Sequence, residues 1–152
     1  MPLERATLGG SGYETWSPKL RRRIINVLGN IDIYENKNCR ACLPDHKFSE
    51  IRWDADTKAE NPDSMTDEEI KSKFQLLTNQ RNQEKREVCR TCYQTGKRGV
   101  AFGIPYFYKG DENWDIEIPK KGKDAERGCE GCAWYDFEEW RKHLINVIEN
   151  NK

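Results

Sequence analysis

The sequence of 152 residues has no long apolar run, no net charge and only two histidines. No segment approaches the ~20 apolar residues that span a bilayer, and the N-terminus has no apolar signal core, so we expect a soluble, cytoplasmic protein. Hydrophobic residues make up 36% of the chain and its mean hydropathy is -1.00. This composition leaves little apolar material for a large core, so we expect one domain with an additional source of bracing.

The six cysteines are the candidates for that bracing, because all of them fall into C-x-x-C pairs: Cys39/Cys42, Cys89/Cys92 and Cys129/Cys132. Two intervening residues allow both thiols of a pair to bind one ion, and pairs repeated far apart indicate zinc knuckles rather than a disulfide framework. Reduced thiols also favour the cytoplasm. A site of four thiolates leaves no open position for water, so this zinc would be structural. Cys89, Cys92, Cys129 and Cys132 form one predicted site, and Cys39 and Cys42 with Cys89 and Cys92 form the alternative.

Charge is distributed unevenly along the chain, although the net charge of zero neither supports nor excludes a nucleic-acid partner. Residues 54–69 contain seven acidic residues and one lysine, which leaves 19 acidic against 25 basic residues elsewhere. Most of the chain is therefore mildly basic and can attract phosphates locally. We expect the acidic segment to lie on the surface away from any bound nucleic acid, because its negative charges would oppose binding.

Local patterns in the first half of the chain predict short elements. Residues 1–16 show no periodicity and are interpreted as an arm or loop. Ser17-Pro18 begins a helix that Gly29 ends, and residues 31–34 alternate as in a short strand. After a turn at residues 61–64, Thr66-x-x-Glu69 is a capping box that opens another short helix.

In the second half, the pattern predicts a strand at residues 74–77 and a helix at residues 79–92. Residues 100–108 are rich in aromatic and β-branched types and indicate extended chain, in which Pro105 favours an edge. Asp136, with Glu139 three residues later, caps a final helix whose apolar face belongs to the core or to a dimer interface.

The stretch from residue 44 to 98 carries the candidate chemistry. It opens with Pro44-Asp45-His46-Lys47-Phe48 and continues through Leu76-Leu77-Thr78-Asn79-Gln80-Arg81-Asn82-Gln83-Glu84-Lys85. Cleavage of a phosphodiester needs an activated water and a cation on the scissile phosphate, and a hard ion such as magnesium prefers oxygen ligands. Asp45 offers a carboxylate and Asn82 a carbonyl oxygen. His46 can accept a proton, because the unperturbed pKa of histidine is about 6.5.

These residues resemble the HNH (ββα-metal) endonucleases, in which an Asp-His pair lies on the first strand and Leu-Leu-Cys-x-x-Cys-Asn-x-x-Lys ends the motif on a helix. The chain matches if Thr78 and Arg81 replace the two cysteines. The resemblance implies an α+β fold with a ββα-metal core. It also implies that Asp45 and Asn82 bind a catalytic Mg²⁺, replaceable by Mn²⁺, and that His46 is the general base.

The match departs from the family at the central asparagine, which usually orients the histidine. Ser72-Lys73 stand where it is expected, just before Phe74, and Asn79 is our candidate for that role. Lys85 or Arg86 would neutralise phosphate. His143, on the final helix, is interpreted as a surface or capping residue.

The sequence therefore predicts a single HNH nuclease domain over residues 1–152. It would comprise an N-terminal arm and helix (1–30), a ββα-metal core (about 39–98) and a C-terminal zinc-knuckle and helix region (99–152). The predicted function is a Type II restriction endonuclease that cuts double-stranded DNA at a short site. A symmetric double-strand cut needs two active centres, so we expect a homodimer. The alternatives are a non-specific or nicking HNH nuclease and a non-catalytic zinc-ribbon module that binds DNA or protein.

Overall fold

The structure is a computed structural model that describes residues 17–55, 57 and 64–151. The arm predicted for residues 1–16 and most of the turn predicted at residues 61–64 lie outside this part of the chain. Within it, five α-helices and four short strands form a mixed α+β fold, as predicted. Each of those helices is too short or too polar to cross a membrane.

The first described helix, α1 (Pro18–Val27), begins and ends where the sequence predicts. The hydroxyl of Ser17 accepts a hydrogen bond from the Leu20 amide at 3.1 Å, and Gly29 turns the chain with a φ of +73°. Strands β1 (Ile31–Asp32) and β2 (Lys37–Asn38) then pair antiparallel. Strand β1 is shorter than the strand predicted at residues 31–34, because the Ile33 amide donates to the Leu76 carbonyl and not to β2. This hydrogen bond links the first strand pair to the second.

The second strand pair consists of β3 (Leu43–His46) and β4 (Phe74–Leu77), which run antiparallel with Asp45 opposite Gln75 and His46 opposite Phe74. A short 3₁₀ helix (Glu50–Arg52) follows β3, and helix α2 (Asp67–Lys73) leads directly into β4. The predicted capping box is confirmed, because Thr66 and Glu69 each accept a hydrogen bond from the other's backbone amide.

Helix α3 (Asn79–Thr95) follows β4 after a single residue and packs against both strands of this pair. The Thr78 hydroxyl caps its first turn by accepting from the Arg81 amide at 3.2 Å. Gly96 ends the helix with a φ of +78°, so α3 is one turn longer than the helix predicted at residues 79–92. The side chains that α3 buries include Asn82 and Lys85, which face the strand pair.

The extended chain predicted at residues 100–108 does not join a sheet; it forms an isolated bridge between Ala101 and Ile104. Two indoles occupy the carbonyls that a neighbouring strand would otherwise use. The Trp134 Nε1 atom donates to Val100 O at 3.3 Å, and the Trp140 Nε1 atom donates to Tyr106 O at 2.8 Å. The segment is therefore held by the core aromatics rather than by a strand partner.

The C-terminal region contains helix α4 (Glu126–Cys129) and helix α5 (Phe137–Asn150). The predicted cap of α5 is confirmed, since the Asp136 carboxylate accepts from the Glu139 amide at 3.1 Å. The first half of α5 joins a largely aromatic core, whereas its second half exposes Ile145, Val147 and Ile148. The core cluster consists of Leu77, Ala101, Ala133, Trp134, Phe137 and Trp140.

Removing the Asp136 carboxylate should destabilise the protein strongly. Its Oδ2 atom accepts from the Lys47 ammonium at 2.9 Å in the interior, so Asp136→Ala leaves a buried charge without its partner and costs about 3–5 kcal/mol. Thr66→Ala, which removes a cap at an exposed position, should cost about 1 kcal/mol. Urea unfolding of both variants measures the difference, and equal losses would contradict this account.

Candidate functional site

The carboxylate of Asp45 lies at the centre of a buried polar cluster, with its side chain 9% exposed. Its Oδ2 atom accepts from Lys85 Nζ at 2.6 Å and from Gln75 Nε2 at 3.1 Å. Its Oδ1 atom lies 3.4 Å from Asn82 Nδ2. The cluster therefore unites β3, β4 and α3 around one acidic group.

The local fold explains why these side chains meet. Asp45 and Gln75 are opposite each other in the antiparallel pair, so their side chains share one face. Helix α3 packs on that face, and Asn82 and Lys85 lie three residues apart on one side of the helix. The structure thus brings Asp45 and Asn82 together across 37 residues of sequence.

Lys85 fixes the end of β3 as well as the carboxylate. Its ammonium donates to the backbone carbonyls of His46 at 2.8 Å and Lys47 at 3.0 Å, and its side chain is 3% exposed. The lysine is therefore part of the interior of the site and not a solvated group at the helix surface.

The His46 imidazole lies apart from the contacts of Asp45, because successive side chains of a strand point to opposite faces. Its ring centroid is 5.0 Å from that of Trp53 and 4.8 Å from that of Phe74. Burial, together with the nearby Lys85 charge, lowers the pKa of His46 to about 3. The imidazole is therefore neutral near pH 7, and in this environment it binds a proton less readily than a free histidine does.

The two remaining candidates among the polar residues lie outside this cluster. Asn79 is exposed at the first residue of α3. His143 is on the outer part of α5, where its ring stacks on Tyr108 with a centroid separation of 4.2 Å. This surface position agrees with the interpretation of His143 from the sequence.

Sequence reasoning missed Gln75, which connects the acidic site to α5. Its amide nitrogen contacts the Trp134 carbonyl at 3.3 Å as well as Asp45, and its Oε1 atom accepts from the Phe137 amide at 3.2 Å. The available signal was its place in β4: a polar residue in an apolar strand, opposite the candidate acid.

Four cysteines gather beyond the acidic cluster, where Cys89, Cys92, Cys129 and Cys132 all line one cavity of about 30 Å³. Burial raises the pKa of Cys89 to about 11 and also raises the pKa of Cys129 and of Cys132. Four sulfur donors are the set that structural zinc uses. Among residues 17–55, 57 and 64–151, no group of three or more His, Cys, Asp or Glu side chains has the arrangement that would hold a metal ion. Zinc binding by these four cysteines therefore stays a prediction.

Arg52 borders this cluster and was also missed from the sequence. It is 2% exposed, its Nη2 atom lies 3.2 Å from Cys92 Sγ, and its guanidinium lies 3.8 Å from the Trp114 ring centroid. Its positive charge opposes the rise in the pKa of Cys129 that burial causes.

The alternative zinc assignment, which included Cys39 and Cys42, needs correction because the structure joins these two cysteines in a disulfide. Their sulfur atoms are bonded to each other and supply no thiolate to a metal. The C-x-x-C spacing allows both a disulfide and metal binding, so spacing alone did not distinguish this pair from the other two.

Comparisons with known proteins identify a family. The family described as ICEA Protein matches residues 13–152. The chain is 33% identical over 125 residues to the Type II restriction enzyme NlaIII of Neisseria lactamica, an alignment that covers 77% of this chain and 50% of the relative. The chain thus spans about half the length of this curated relative. No solved structure matches it. The match over nearly the whole sequence shows that the chain belongs to the ICEA family.

Proposed function

We propose that the chain is a restriction-type DNA endonuclease with an HNH centre built around Asp45. The observation that carries the proposal is the buried approach of Asp45 to Asn82, at 3.4 Å, on two antiparallel strands followed by a helix. That order of elements is the one the HNH resemblance implies. The similarity to a Type II restriction enzyme supports the same activity.

Asp45 and Asn82 would bind the catalytic divalent ion, Mg²⁺ or Mn²⁺. The donor set fits, because a carboxylate and an amide are the oxygen ligands that such ions prefer, and the amide can present its oxygen by rotation. When bound, the ion would stabilise the negative charge on the scissile phosphate and on the leaving oxygen.

The other residues of the site have roles that their contacts support. Gln75 and Lys85 hold the Asp45 carboxylate in place. His46 is assigned as the base that accepts a proton from water because the HNH resemblance places that role at the histidine next to Asp45. The exposed Arg86 of α3 is available to DNA phosphates.

Cys89, Cys92, Cys129 and Cys132 would hold a structural zinc that connects α3 to the region before α5. The shared cavity and the nearby Arg52 support this site. A cut in both strands at a symmetric sequence would involve two copies of the chain.

Replacing His46 should separate cleavage from DNA binding. In the presence of Mg²⁺ or Mn²⁺, His46→Gln is expected to cut plasmid DNA about 10²–10⁴ times more slowly, because the proton acceptor is lost, while retaining affinity in a gel-shift assay. His143→Gln is the matched control and should cut like the parent. Undiminished cutting by His46→Gln would contradict the assignment of His46 as the base.

The products of the parent enzyme distinguish the candidate activities. Discrete fragments support a restriction endonuclease, whereas a smear or nicked circles indicate the non-specific or nicking enzyme. DNA binding with no cutting in either metal would favour a non-catalytic zinc-ribbon module.

Asn82 should contribute to binding of the divalent ion through its side-chain oxygen and not through its amide nitrogen. We expect Asn82→Asp, which retains an oxygen donor, to keep more cleavage activity than Asn82→Ala, because the ion retains two protein ligands. Gln83→Ala, at the next and exposed position of α3, should match the parent in the same rate measurement. Equal rates for Asn82→Ala and the parent would argue against a ligand role.

Zinc content should depend on one set of cysteines. The parent is expected to contain about one zinc per chain, and Cys129→Ser with Cys132→Ser should lose it, since two of four sulfur ligands are removed. Cys39→Ser with Cys42→Ser is the matched control and should retain zinc, measured by mass spectrometry of the metal. Loss of zinc from the control and not from the first variant would support the other pairing.

A further inference from the structure

Lys85 is a buried cation placed on the acidic group of the site. Its ammonium has three protons to donate, and it contacts Asp45 Oδ2 at 2.6 Å, His46 O at 2.8 Å and Lys47 O at 3.0 Å. Since the side chain is 3% exposed, water has little access to this charge. These contacts fix the ammonium in position, which distinguishes it from a mobile lysine that binds DNA phosphates at the surface.

The buried Asp45 carboxylate requires a positive charge nearby to stabilise its ionised form. Its other contacts, Gln75 Nε2 and Asn82 Nδ2, come from neutral amides, whereas Lys85 forms an ion pair with it. A carboxylate with 9% exposure that lacked a cation would be strongly disfavoured in the interior. Within the part of the chain that the structure describes, Lys85 therefore supplies the positive charge that a bound metal ion would otherwise supply to Asp45.

We propose that Lys85 is the counter-ion of Asp45 in the metal-free protein and that it competes with the divalent ion for this carboxylate. The inference rests on the proposed function, which assigns that ion to Asp45 and Asn82. An ammonium and a divalent cation at one carboxylate repel each other, so the presence of Lys85 lowers affinity for the ion. Lys85 is thus a positioning residue that acts through Asp45.

This competition couples metal binding to DNA binding. A DNA phosphate next to the ion adds a negative charge and an oxygen ligand, and both offset the repulsion from Lys85. The ion then binds more tightly to the protein with DNA than to the protein alone. By linkage, DNA also binds more tightly in the presence of the ion.

Titration of the DNA-free protein with Mn²⁺ tests the competition directly. Electron paramagnetic resonance of free Mn²⁺ reports the bound fraction without any need for cleavage. Lys85→Met is expected to bind Mn²⁺ about tenfold more tightly than the parent, or better, because the competing charge is gone. Lys142→Met, the same substitution at an exposed lysine of α5, is the matched control and should leave the affinity unchanged. Asp45→Asn should abolish binding.

Two results would overturn the proposal in different ways. If Lys85→Met binds Mn²⁺ no more tightly than the parent, and Asp45→Asn still abolishes that binding, the metal site stands and the competition is wrong. If neither the parent nor Lys85→Met shows binding that depends on Asp45, the metal site of the proposed function fails as well.

A second measurement keeps the proposal testable if Lys85→Met does not fold. Spectra of the parent labelled with ¹⁵N-lysine should contain a Lys85 ammonium resonance that burial protects from exchange with water. Added Mg²⁺ is expected to shift this resonance along a saturable curve, because the contact with Asp45 changes. An unchanged Lys85 resonance at millimolar Mg²⁺ would contradict the proposal.

Discussion

The ion pair between Lys85 and Asp45 connects the strand pair β3–β4 to the middle of α3, and the arrangement of the site depends on it. Asn82 is one turn before Lys85 on the helix, and Cys89 is one turn after it. At a rise of ~1.5 Å per residue, Cys89 lies roughly 10 Å beyond Asn82. A single helix thus carries both the acidic cluster and part of the cysteine cluster, so fixing α3 on β3 fixes the two together.

Buried polar contacts connect several elements of this fold. Gln75 joins Asp45 to the start of α5, and Lys47 pairs with Asp136, which caps the same helix. Arg52 is buried against the cysteines and Trp114. Such groups are tolerated in an interior when their hydrogen bonds are satisfied, and they then specify one arrangement of the elements. The buried polar contacts that position the candidate site therefore also stabilise the packing of the surrounding elements.

The sequence predicted features that depend on neighbouring residues. The caps at Ser17, Thr66 and Asp136 were found because a cap is defined within four residues. The approach of Asp45 to Asn82 was expected from the resemblance to a family motif.

Features that depend on distant partners were not predicted. The role of Gln75 depends on residues 30 to 62 positions away, and that of Arg52 on a thiol 40 positions away. Residues 100–108 have a strand composition, but Trp134 and Trp140 use their carbonyls. The side of β3 on which His46 lies follows from its pairing with Phe74, which sequence order alone does not define.

The central claim is that Asp45 and Asn82 bind one divalent ion. It can be tested with crystals of the protein grown with Mn²⁺ and a short DNA duplex, with diffraction recorded at the manganese absorption edge. The account predicts an anomalous peak within about 2.5 Å of an oxygen of each residue. Manganese bound elsewhere, with Lys85 still in contact with Asp45, would contradict it.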